Sequence, residues 1–287
     1  MPIVIENMYH LYMPGTPYES SALREISLTI EEGAFVGLIG HTGSGKSTLV
    51  QHLNGLLMPT SGKVSVDGVD ITQKGADLMA VRRKVGMVFQ YPEHQLFEET
   101  VEKDIAFGPS NMGVRGDELT GRVQKAMAQV GLDYEQFRDR SPFELSGGQR
   151  RRVAIAGVLA MEPKYLVLDE PTAGLDPRGR RELLDLVCDL HERQGITVLM
   201  VTHSMDDIVR VAREIVVLSH GRIVMADRTE RIFSRARELM EIGLDIPDVV
   251  RLSRAMKPHG VHIPETMFDP AEVAACIASQ MGGEGTC

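Results

Sequence analysis

The residues with the clearest chemical potential form a glycine-rich run at positions 40–48, Gly-His-Thr-Gly-Ser-Gly-Lys-Ser-Thr. This run fits the phosphate-binding pattern G-x-x-x-x-G-K-[ST] at every fixed position. Its glycines let the backbone N–H groups surround an anion, because no Cβ stands in the way. We expect the Lys46 ammonium to reach the β- and γ-phosphates and the Ser47 hydroxyl to ligate Mg²⁺. The run therefore predicts a site for a nucleoside triphosphate.

The flanks of this loop have the required context. Residues 35–39 form a short apolar run typical of a strand, and Leu49, Leu53, Leu56 and Leu57 then recur at helical spacing. The positive end of a helix and its free N–H groups stabilise phosphate. An ordinary glycine-rich turn is the alternative, and the strand before the loop and the helix after it argue against it.

Two carboxylates follow another apolar run, at residues 165–168. Open α/β sheets place their chemistry at the carboxyl ends of the strands, which is where Asp169 and Glu170 fall. We expect Asp169 to be the second Mg²⁺ element, although a strand-terminal cap is the other reading. Glu170 is a candidate general base for a water molecule that attacks the γ-phosphate.

Two more polar residues follow predicted core strands. His203 comes after the strand at 196–201 and could sense or hold the γ-phosphate. Gln90 comes after the strand at 85–89 and could reach Mg²⁺ or the attacking water. The predicted catalytic residues are therefore Glu170, His203 and Gln90, and the predicted metal ligands are Ser47, Gln90 and Asp169.

A second anion site is predicted at residues 145–149, Leu-Ser-Gly-Gly-Gln, where a helix begins. One chain has only one phosphate loop to fill. The simplest resolution is that Ser146 and its helix face the nucleotide of another subunit, so that two chains hold two ATP molecules between them, head to tail.

Composition limits the class of protein. The chain has 287 residues, 43% hydrophobic and 25% charged, as in soluble globular proteins. Its formal net charge of −9 argues against nucleic acid as the main partner, which needs a basic surface. The three cysteines show no disulfide or zinc spacing. The longest apolar run, residues 153–161, is about half of the roughly 18 that a membrane helix needs, so we expect the chain not to cross a membrane.

The remaining patterns predict a mixed α/β core with additions. Residues 2–9 and 25–30 alternate like strands that bury one face. Interleaved charges and apolar residues at helical intervals predict a helical insertion at about 100–160. Past residue 243, two amphipathic helices are expected at 245–256 and 269–281, and residues 282–286 have the composition of a disordered segment. We therefore expect one domain over 1–243 and a helical extension over 244–287.

In this order and spacing, the motifs resemble those of the ATP-binding-cassette (ABC) ATPases over about residues 3–240. The matching stretches are 40–48, Gln90, 145–149, 165–170, 173–176 and His203. The resemblance implies the P-loop NTPase fold of ABC type, with an antiparallel β subdomain and a helical insertion. It also implies that Asp176 joins a dimer interface, while the same Asp176 followed by Pro177 is a good helix N-cap.

A finer resemblance is to the ATPase subunits of energy-coupling factor transporters, which drive uptake of vitamins or metal ions. It rests on residues 12–17, 89–97, 104–109 and 243–247. In that family Tyr12 would stack on adenine; from the residues alone, packing of Tyr12 on the sheet is equally open. The predicted nucleotide ligands are Tyr12, Gly40, His41, Thr42, Gly43, Ser44, Gly45, Lys46, Ser47, Thr48, Ser146, Gly147, Gly148 and Gln149.

The resemblance implies ATP and Mg²⁺ as cofactors and three kinds of partner. These are a second ABC ATPase, identical or merely similar, a transmembrane coupling subunit and a substrate-binding membrane subunit. Residues 91–109 would receive the coupling helices, with Leu96, Phe97 and Phe107 as the exposed apolar candidates. The chain would then lie at the cytoplasmic face of the cell membrane, as a peripheral protein. The rival class is a soluble ABC-type ATPase that acts on nucleic acid or ribosomes. Such proteins carry long coiled-coil insertions or two cassettes per chain. A small-molecule kinase would have no use for residues 145–149.

Overall fold

The computed structural model describes residues 1–264 and 266–281, so the predicted disordered segment 282–286 lies outside the described residues. Within them the strands belong to two sheets. In chain order they are β1 (Ile3–Tyr12), β2 (Ser20–Ile30), β3 (Phe35–Ile39), β4 (Ser61–Val66), β5 (Val69–Asp70), β6 (Val85–Val88), β7 (Tyr165–Asp169), β8 (Thr197–Val201), β9 (Glu214–Ser219) and β10 (Arg222–Arg228).

In the described residues, the α-helices all come after β3 in the chain. They are α1 (Lys46–Leu53), α2 (Leu78–Lys84), α3 (Val101–Asn111), α4 (Gly116–Gln129), α5 (Tyr134–Phe137), α6 (Gly147–Leu159), α7 (Pro177–Gln194), α8 (Met205–Val211), α9 (Thr229–Ser234), α10 (Ala236–Glu241), α11 (Asp248–Met256) and α12 (Pro270–Met281).

The central sheet has the strand order β10-β9-β3-β8-β7-β6. The five strands from β9 to β6 in this order run parallel to one another. The second sheet is antiparallel, in the order β2-β1-β4-β5. Parallel strands put their carboxyl ends at one edge. The loops after β3, β6, β7 and β8 therefore meet there, and each carries a predicted site residue.

Two hydrophobic cores hold these layers together. The smaller core joins the antiparallel sheet to one face of the central sheet and to α1. The larger core joins the other face to α7, α8 and the helical insertion that comprises α3 to α6. The apolar residues predicted at helical intervals in the insertion, such as Ile105, Val123 and Met127, are buried in it. The predicted α/β class with an antiparallel subdomain and a helical insertion is confirmed.

The helix after the phosphate loop is shorter than predicted. It ends at Leu53, and Leu56 lies beyond it with its side chain 49% exposed. Gly55 has φ +66°, a left-handed conformation that stops a helix, and the Asn54 side chain accepts a hydrogen bond from the Leu56 N–H. The leucine spacing thus predicted a helix that continues to Leu57, whereas Asn54 and Gly55 form a turn that ends it.

The first helix of the predicted extension begins at Asp248 rather than 245, directly after Pro247. The residues around its start pack on the cassette, because Leu244, Ile246 and Val250 are buried in the larger core. Beyond them, Val261, Ile263 and Val273 form a small cluster of their own. The chain after residue 243 is therefore continuous with the cassette at its beginning and has a separate small core at its end.

Candidate functional site

A cleft of about 610 Å³ lies at the carboxyl edge of the central sheet, between the phosphate loop and the antiparallel sheet. It brings together residues that are far apart in the sequence and that come from both sheets. Its lining residues are Tyr12, Ser20, Ser21, Ala22, Thr42, Gly43, Gly45, Lys46, Ser47, Thr48, Gln90, Asp169, Glu170 and His203.

The phosphate loop passes too close to its neighbours for side chains at two glycines. A Cβ on Gly40 would lie 2.3 Å from the carbonyl oxygen of Leu218. Gly45 has φ +104°, and a Cβ there would lie 2.8 Å from the carbonyl oxygen of Ala22. The glycines of the motif are therefore required by this fold as well as by a ligand. Gly40, His41 and Ser44 form the base of the loop rather than the lining of the cleft, and Ser44 is fully buried.

The Lys46 ammonium closes the loop on itself. Its Nζ donates to the carbonyl oxygens of Gly40 at 2.6 Å and His41 at 3.1 Å. Burial lowers the pKa of Lys46, and the nearby carboxylates of Glu170 and Asp169 oppose that shift. Those same carboxylates favour the charged form of Lys46, which is the form that a phosphate attracts.

Asp169 ends β7 with its carboxylate buried beside the loop. It is 8% exposed, and the Ser47 side chain lies near it. Burial raises the pKa of Asp169 and the charge of Glu170 adds to this, whereas Ser47 and Lys46 lower it. A buried carboxylate next to a hydroxyl is an oxygen donor pair of the kind that Mg²⁺ prefers.

Glu170 and His203 form a pair at the back of the cleft. The His203 Nδ1 lies 2.8 Å from Glu170 Oε2, with the histidine side chain 74% exposed and the glutamate 14% exposed. The backbone of Glu170 has φ +51°, which is rare for a residue with a side chain and costs of order 1–3 kcal/mol. The Glu170 N–H donates to the carbonyl oxygen of Val201 at 2.9 Å, which ties it to β8.

Tyr12 lies at the outer end of the cleft, at the end of β1. Its ring is 40% exposed, and its hydroxyl lies 3.1 Å from Thr48 Oγ1. The edge of the His10 ring meets it at a centroid distance of 4.7 Å. One face of the tyrosine thus stays accessible at the cleft. Gln90 also lines the cleft and is exposed, two residues after the end of β6.

Residues 146–149 do not line this cleft. Ser146 caps α6: its Oγ accepts from the Gln149 N–H at 3.3 Å, and Gln149 Oε1 accepts from the Ser146 N–H at 3.0 Å. Ser146, Gly147 and Gly148 are exposed. A Cβ on either glycine would meet nothing within 4 Å in the part of the chain that the structure describes, and neither has a positive φ. Packing inside this chain therefore gives no reason for glycine at these two positions.

Sequence analysis missed three lining residues and one internal clamp. Ser20, Ser21 and Ala22 enter the cleft from β2, and nothing in their type marks them as binding residues. Arg151 is buried and hydrogen bonded to the segments after Gln90 and Glu170. It lies in a run of three arginines that resembles a solvated charged face, so the sequence does not indicate that Arg151 is buried.

A scan of family models matches residues 23–173 to the family described as ABC transporter. Among curated relatives, the energy-coupling factor transporter ATP-binding protein EcfA2 of Clostridium perfringens is 55% identical, over 93% of this chain and 94% of that protein. The EcfA2 protein of Clostridioides difficile is 51% identical over the full length of both chains.

Two solved structures share the fold. One is cbiO1 from Clostridium perfringens, described as part of the ABC transporter complex cbiONQ. It is 37% identical, with a TM-score of 0.73 over 88% of this chain and 98% of that one. The other is the ATP-binding cassette MJ0796, as a dimer in a post-hydrolysis state bound to ADP and Pi. It is 31% identical, with a TM-score of 0.70 over 79% of this chain and 98% of that one.

Proposed function

The chain belongs to the ABC transporter family of ATPases, and on that premise we propose that it is the ATP-hydrolysing subunit of an energy-coupling factor importer. The observation that carries the proposal is the meeting of Lys46, Asp169 and Glu170 at one cleft. Near full-length likeness to proteins named as energy-coupling factor ATP-binding subunits supports the transport role. Uptake of a vitamin or a transition-metal ion is the activity we propose for the complex.

In this proposal the phosphate loop orients the triphosphate of ATP. Lys46 moves from the carbonyl oxygens that it contacts to the β- and γ-phosphates, and the N–H groups at the start of α1 hold the phosphate oxygens. Tyr12 offers its accessible face to the adenine. Thr48 supports Tyr12 through the contact between their hydroxyl groups.

Glu170 acts on the attacking water. Its carboxylate accepts the proton as the water oxygen forms its bond to the γ-phosphorus, while the bond from that phosphorus to the β–γ bridging oxygen breaks and ADP leaves with this oxygen. His203 holds the Glu170 carboxylate through the contact with Oε2. General-base catalysis of this kind contributes about 10²- to 10⁴-fold in rate. The residue Gln90 faces the same space and is proposed to orient the water.

Mg²⁺ fits the donors at this site. Ser47 and Asp169 supply a hydroxyl and a carboxylate that line the same cleft, and Gln90 adds an amide oxygen. Within residues 1–264 and 266–281 no group of three or more His, Cys, Asp or Glu residues could hold a metal ion. Mg²⁺ in phosphate-binding sites is bound through one or two carboxylates plus phosphates. When bound, the ion neutralises charge that develops on the phosphate oxygens.

We further propose that two ATPase chains share each nucleotide. Ser146, Gly147 and Gly148 are exposed, lie outside their own chain's cleft and have open space around them. These properties suit a surface that closes on the nucleotide of a second chain. Asp176 caps α7 by accepting from the Gly179 N–H at 2.7 Å and is also exposed, so it is available to the same interface.

The proposed contact with a transmembrane subunit centres on Phe97 and Phe107. Their side chains are 57% and 44% exposed and meet edge to face at 4.8 Å. Leu96, predicted as an exposed candidate from the sequence, is only 6% exposed and packs in the larger core. The aromatic pair is therefore the better candidate for the coupling surface.

Within the described residues, no helix combines the length and the apolar character needed to span a bilayer. We propose a peripheral position at the cytoplasmic face of the cell membrane, held there by membrane partners. The test is recovery of the tagged full-length chain from its native membranes in mild detergent, with identification of the subunits that co-purify. Integral membrane subunits and a second ATPase chain are expected, and the Lys46→Ala variant should recover the same partners.

The alternative is a soluble ABC-type ATPase that acts on nucleic acid or ribosomes. It would be recovered with ribosomes or nucleic acid and without integral membrane subunits. The net charge of −9 disfavours it, because binding to phosphate backbones requires a basic surface.

A further inference from the structure

A buried arginine connects α6 to two segments that follow residues of the catalytic cleft. Arg151 lies in α6, and its side chain is only 5% exposed. Its guanidinium donates two hydrogen bonds to the Glu93 carboxylate, at 3.0 and 2.9 Å. It donates two more to the carbonyl oxygens of Pro171 at 3.0 Å and Ala173 at 2.9 Å. One side chain thus joins α6, the turn after Gln90 and the loop after Glu170.

The partners of Arg151 lie next to the two residues expected to act on the attacking water. Glu93 is in the 3₁₀ turn Pro92–Gln95, three residues after Gln90. Pro171 is the residue after Glu170, and Ala173 donates its N–H to the carbonyl oxygen of Glu170 at 3.1 Å. A shift of the turn is therefore transmitted to the loop after Glu170 through this guanidinium.

Both of these segments contain a strained residue. Glu170 has φ +51° and Tyr91 has φ +55°, and neither is a glycine. Such conformations persist only where the surrounding structure determines them. Besides Arg151, the loop is held by the Thr172 hydroxyl, which donates to Asp207 at 2.8 Å. The turn also lies against the loop directly, since a Cβ on Gly174 would lie 3.4 Å from the Tyr91 ring.

The contact with Glu93 suits an arginine and no other side chain. A planar guanidinium can serve a carboxylate with two parallel N–H groups while other N–H groups reach the two carbonyls. Although burial acts to raise it, the hydrogen bonds from Arg151 hold the pKa of Glu93 below its ordinary value. Removing either partner would leave a buried charge without its counterion.

We propose that Arg151 is a positioning residue: it locks the loop 171–174 to the turn Pro92–Gln95 and so fixes the place of Glu170. The proposal rests on the proposed role of Glu170 as general base. Arg151 does not touch the cleft and acts through the backbone. A partner that moves the turn, from the neighbouring surface at Phe97, would thereby move the catalytic carboxylate.

The test compares Arg151→Lys, Glu93→Gln and the double variant, in the full-length chain purified with its co-purifying subunits. Two kinds of quantity are measured: amide hydrogen exchange of residues 172–175, and kcat and KM for ATP. Arg152→Lys is the matched control. Arg152 is the next residue in α6, is 32% exposed, and also bonds one carboxylate and one carbonyl, those of Glu182 and Val130, away from the loop.

We expect faster exchange of the amides of residues 172–175 in both single variants and a kcat lower by about tenfold to a hundredfold, as for misplacement of a catalytic group by about 1 Å. KM for ATP should change by less than about twofold, because the phosphate loop is untouched. The double variant should lose no more than the worse single variant, since Glu93 acts through Arg151.

Other outcomes separate the two claims. Unchanged exchange in Arg151→Lys and Glu93→Gln, or losses that multiply in the double variant, would overturn the positioning role. Faster exchange with normal kcat would show that Glu170 does not depend on the loop, which also overturns the positioning role. The role of Glu170 as base is tested separately by Glu170→Gln, so the two failures are distinguishable. If Arg151→Lys does not fold, Glu93→Gln retains the arginine and decides the question by the same two measurements.

Discussion

Glu170 is the carboxylate best placed for proton transfer, because it lines the cleft and its Oε2 lies 2.8 Å from His203 Nδ1. We predict that Glu170→Gln retains ATP binding while hydrolysis falls by at least about a hundredfold, as for loss of a general base. Single-turnover hydrolysis and equilibrium nucleotide binding measure the two effects separately. Glu162→Gln, in a surface pair with Lys125 at 2.6 Å, is the control and should hydrolyse ATP normally. Near-normal turnover of Glu170→Gln would remove this assignment.

Asp169 links activity to stability through its pKa. Burial raises the pKa of this carboxyl above its ordinary value, so the folded state holds the proton more tightly than the unfolded state does. The ionised form therefore destabilises the fold at pH values above the folded-state pKa. That penalty fades as the pH falls towards the ordinary Asp value of about 3.9, where both states are protonated.

We accordingly predict that Asp169→Asn raises the melting temperature at neutral pH and abolishes hydrolysis. A rise of about 2 to 4 °C would correspond to roughly 1 kcal/mol. The difference between variant and wild type should shrink on acidification, which thermal melts at a series of pH values will show. A variant less stable than wild type at neutral pH would mean that the favourable effects of Ser47 and Lys46 on the charged carboxylate outweigh the cost of its burial.

At the scale of secondary structure, the predictable part of the site is the part that the local chain dictates. The phosphate loop, the acidic pair after β7 and the cap at Ser146 depend on neighbours within a few residues, and spacing alone located them. The clamp between Arg151 and Glu93 joins residues 58 apart, and no periodicity marks it. The burial of Leu96 likewise depends on how the insertion packs, which a sequence does not reveal.

The beginning of α6 allows a test of the shared nucleotide site. Gly148→Ala meets nothing within 4 Å in the described part of the chain, so folding should be unimpaired. We predict that ATPase activity nevertheless falls by at least about tenfold, because a methyl group would stand between the helix N-terminus and a phosphate of the second chain.

The matched control is Gly121→Ala, also a helical glycine with an open surrounding, in α4. Both substitutions should stabilise the chain slightly, by about 0.5–1 kcal/mol or less. Only the one at Gly148 should impair hydrolysis, measured at a chain concentration that supports dimers. Equal and normal activity in both variants would argue against a second nucleotide closing on α6.

The exposed aromatic pair of the insertion should be needed for transport and not for folding. We predict that Phe107→Asp reduces uptake by at least about tenfold in vesicles that contain the whole complex, because it puts a charge into an apolar contact. Basal ATPase activity should stay largely normal. Val224→Asp, on β10 and similarly exposed at 45%, is the control that should leave both intact. Normal uptake by Phe107→Asp would place the coupling surface elsewhere.

At the scale of the whole molecule, the chain after residue 243 has two roles that a single truncation would confuse. Leu244, Ile246 and Val250 complete the larger core, so removing them would expose the cassette interior. The later cluster of Val261, Ile263 and Val273 is small, and Phe268 touches the core through Phe233 at a ring distance of 6.0 Å. A truncation that tests association must therefore keep the segment with Leu244, Ile246 and Val250 and remove only the residues after it.

The helix α12 carries the apolar stripe predicted from the sequence, but only part of it is used within the chain. Val273 is 2% exposed and Ile277 is half-buried, whereas Ala274 and Ala278 are exposed. A helix of about three turns is too short to persist alone in water, so its packing matters. We predict that deleting residues 261–287 leaves a folded cassette that binds ATP and no longer associates in the absence of nucleotide.

Sedimentation of the truncated and full-length chains, both free of nucleotide, measures this association, and thermal melting checks the fold. Ala274→Asp in the full-length chain is the sharper variant, because it places a charge on the exposed side of the stripe and leaves Val273 in its cluster. It should weaken association as the truncation does, with an unchanged melting temperature. If the truncated chain and the Ala274→Asp variant both remain dimers without nucleotide, the tail does not form the contact between chains. If the truncated chain unfolds while Ala274→Asp associates normally, the stripe serves only the cassette on which it packs.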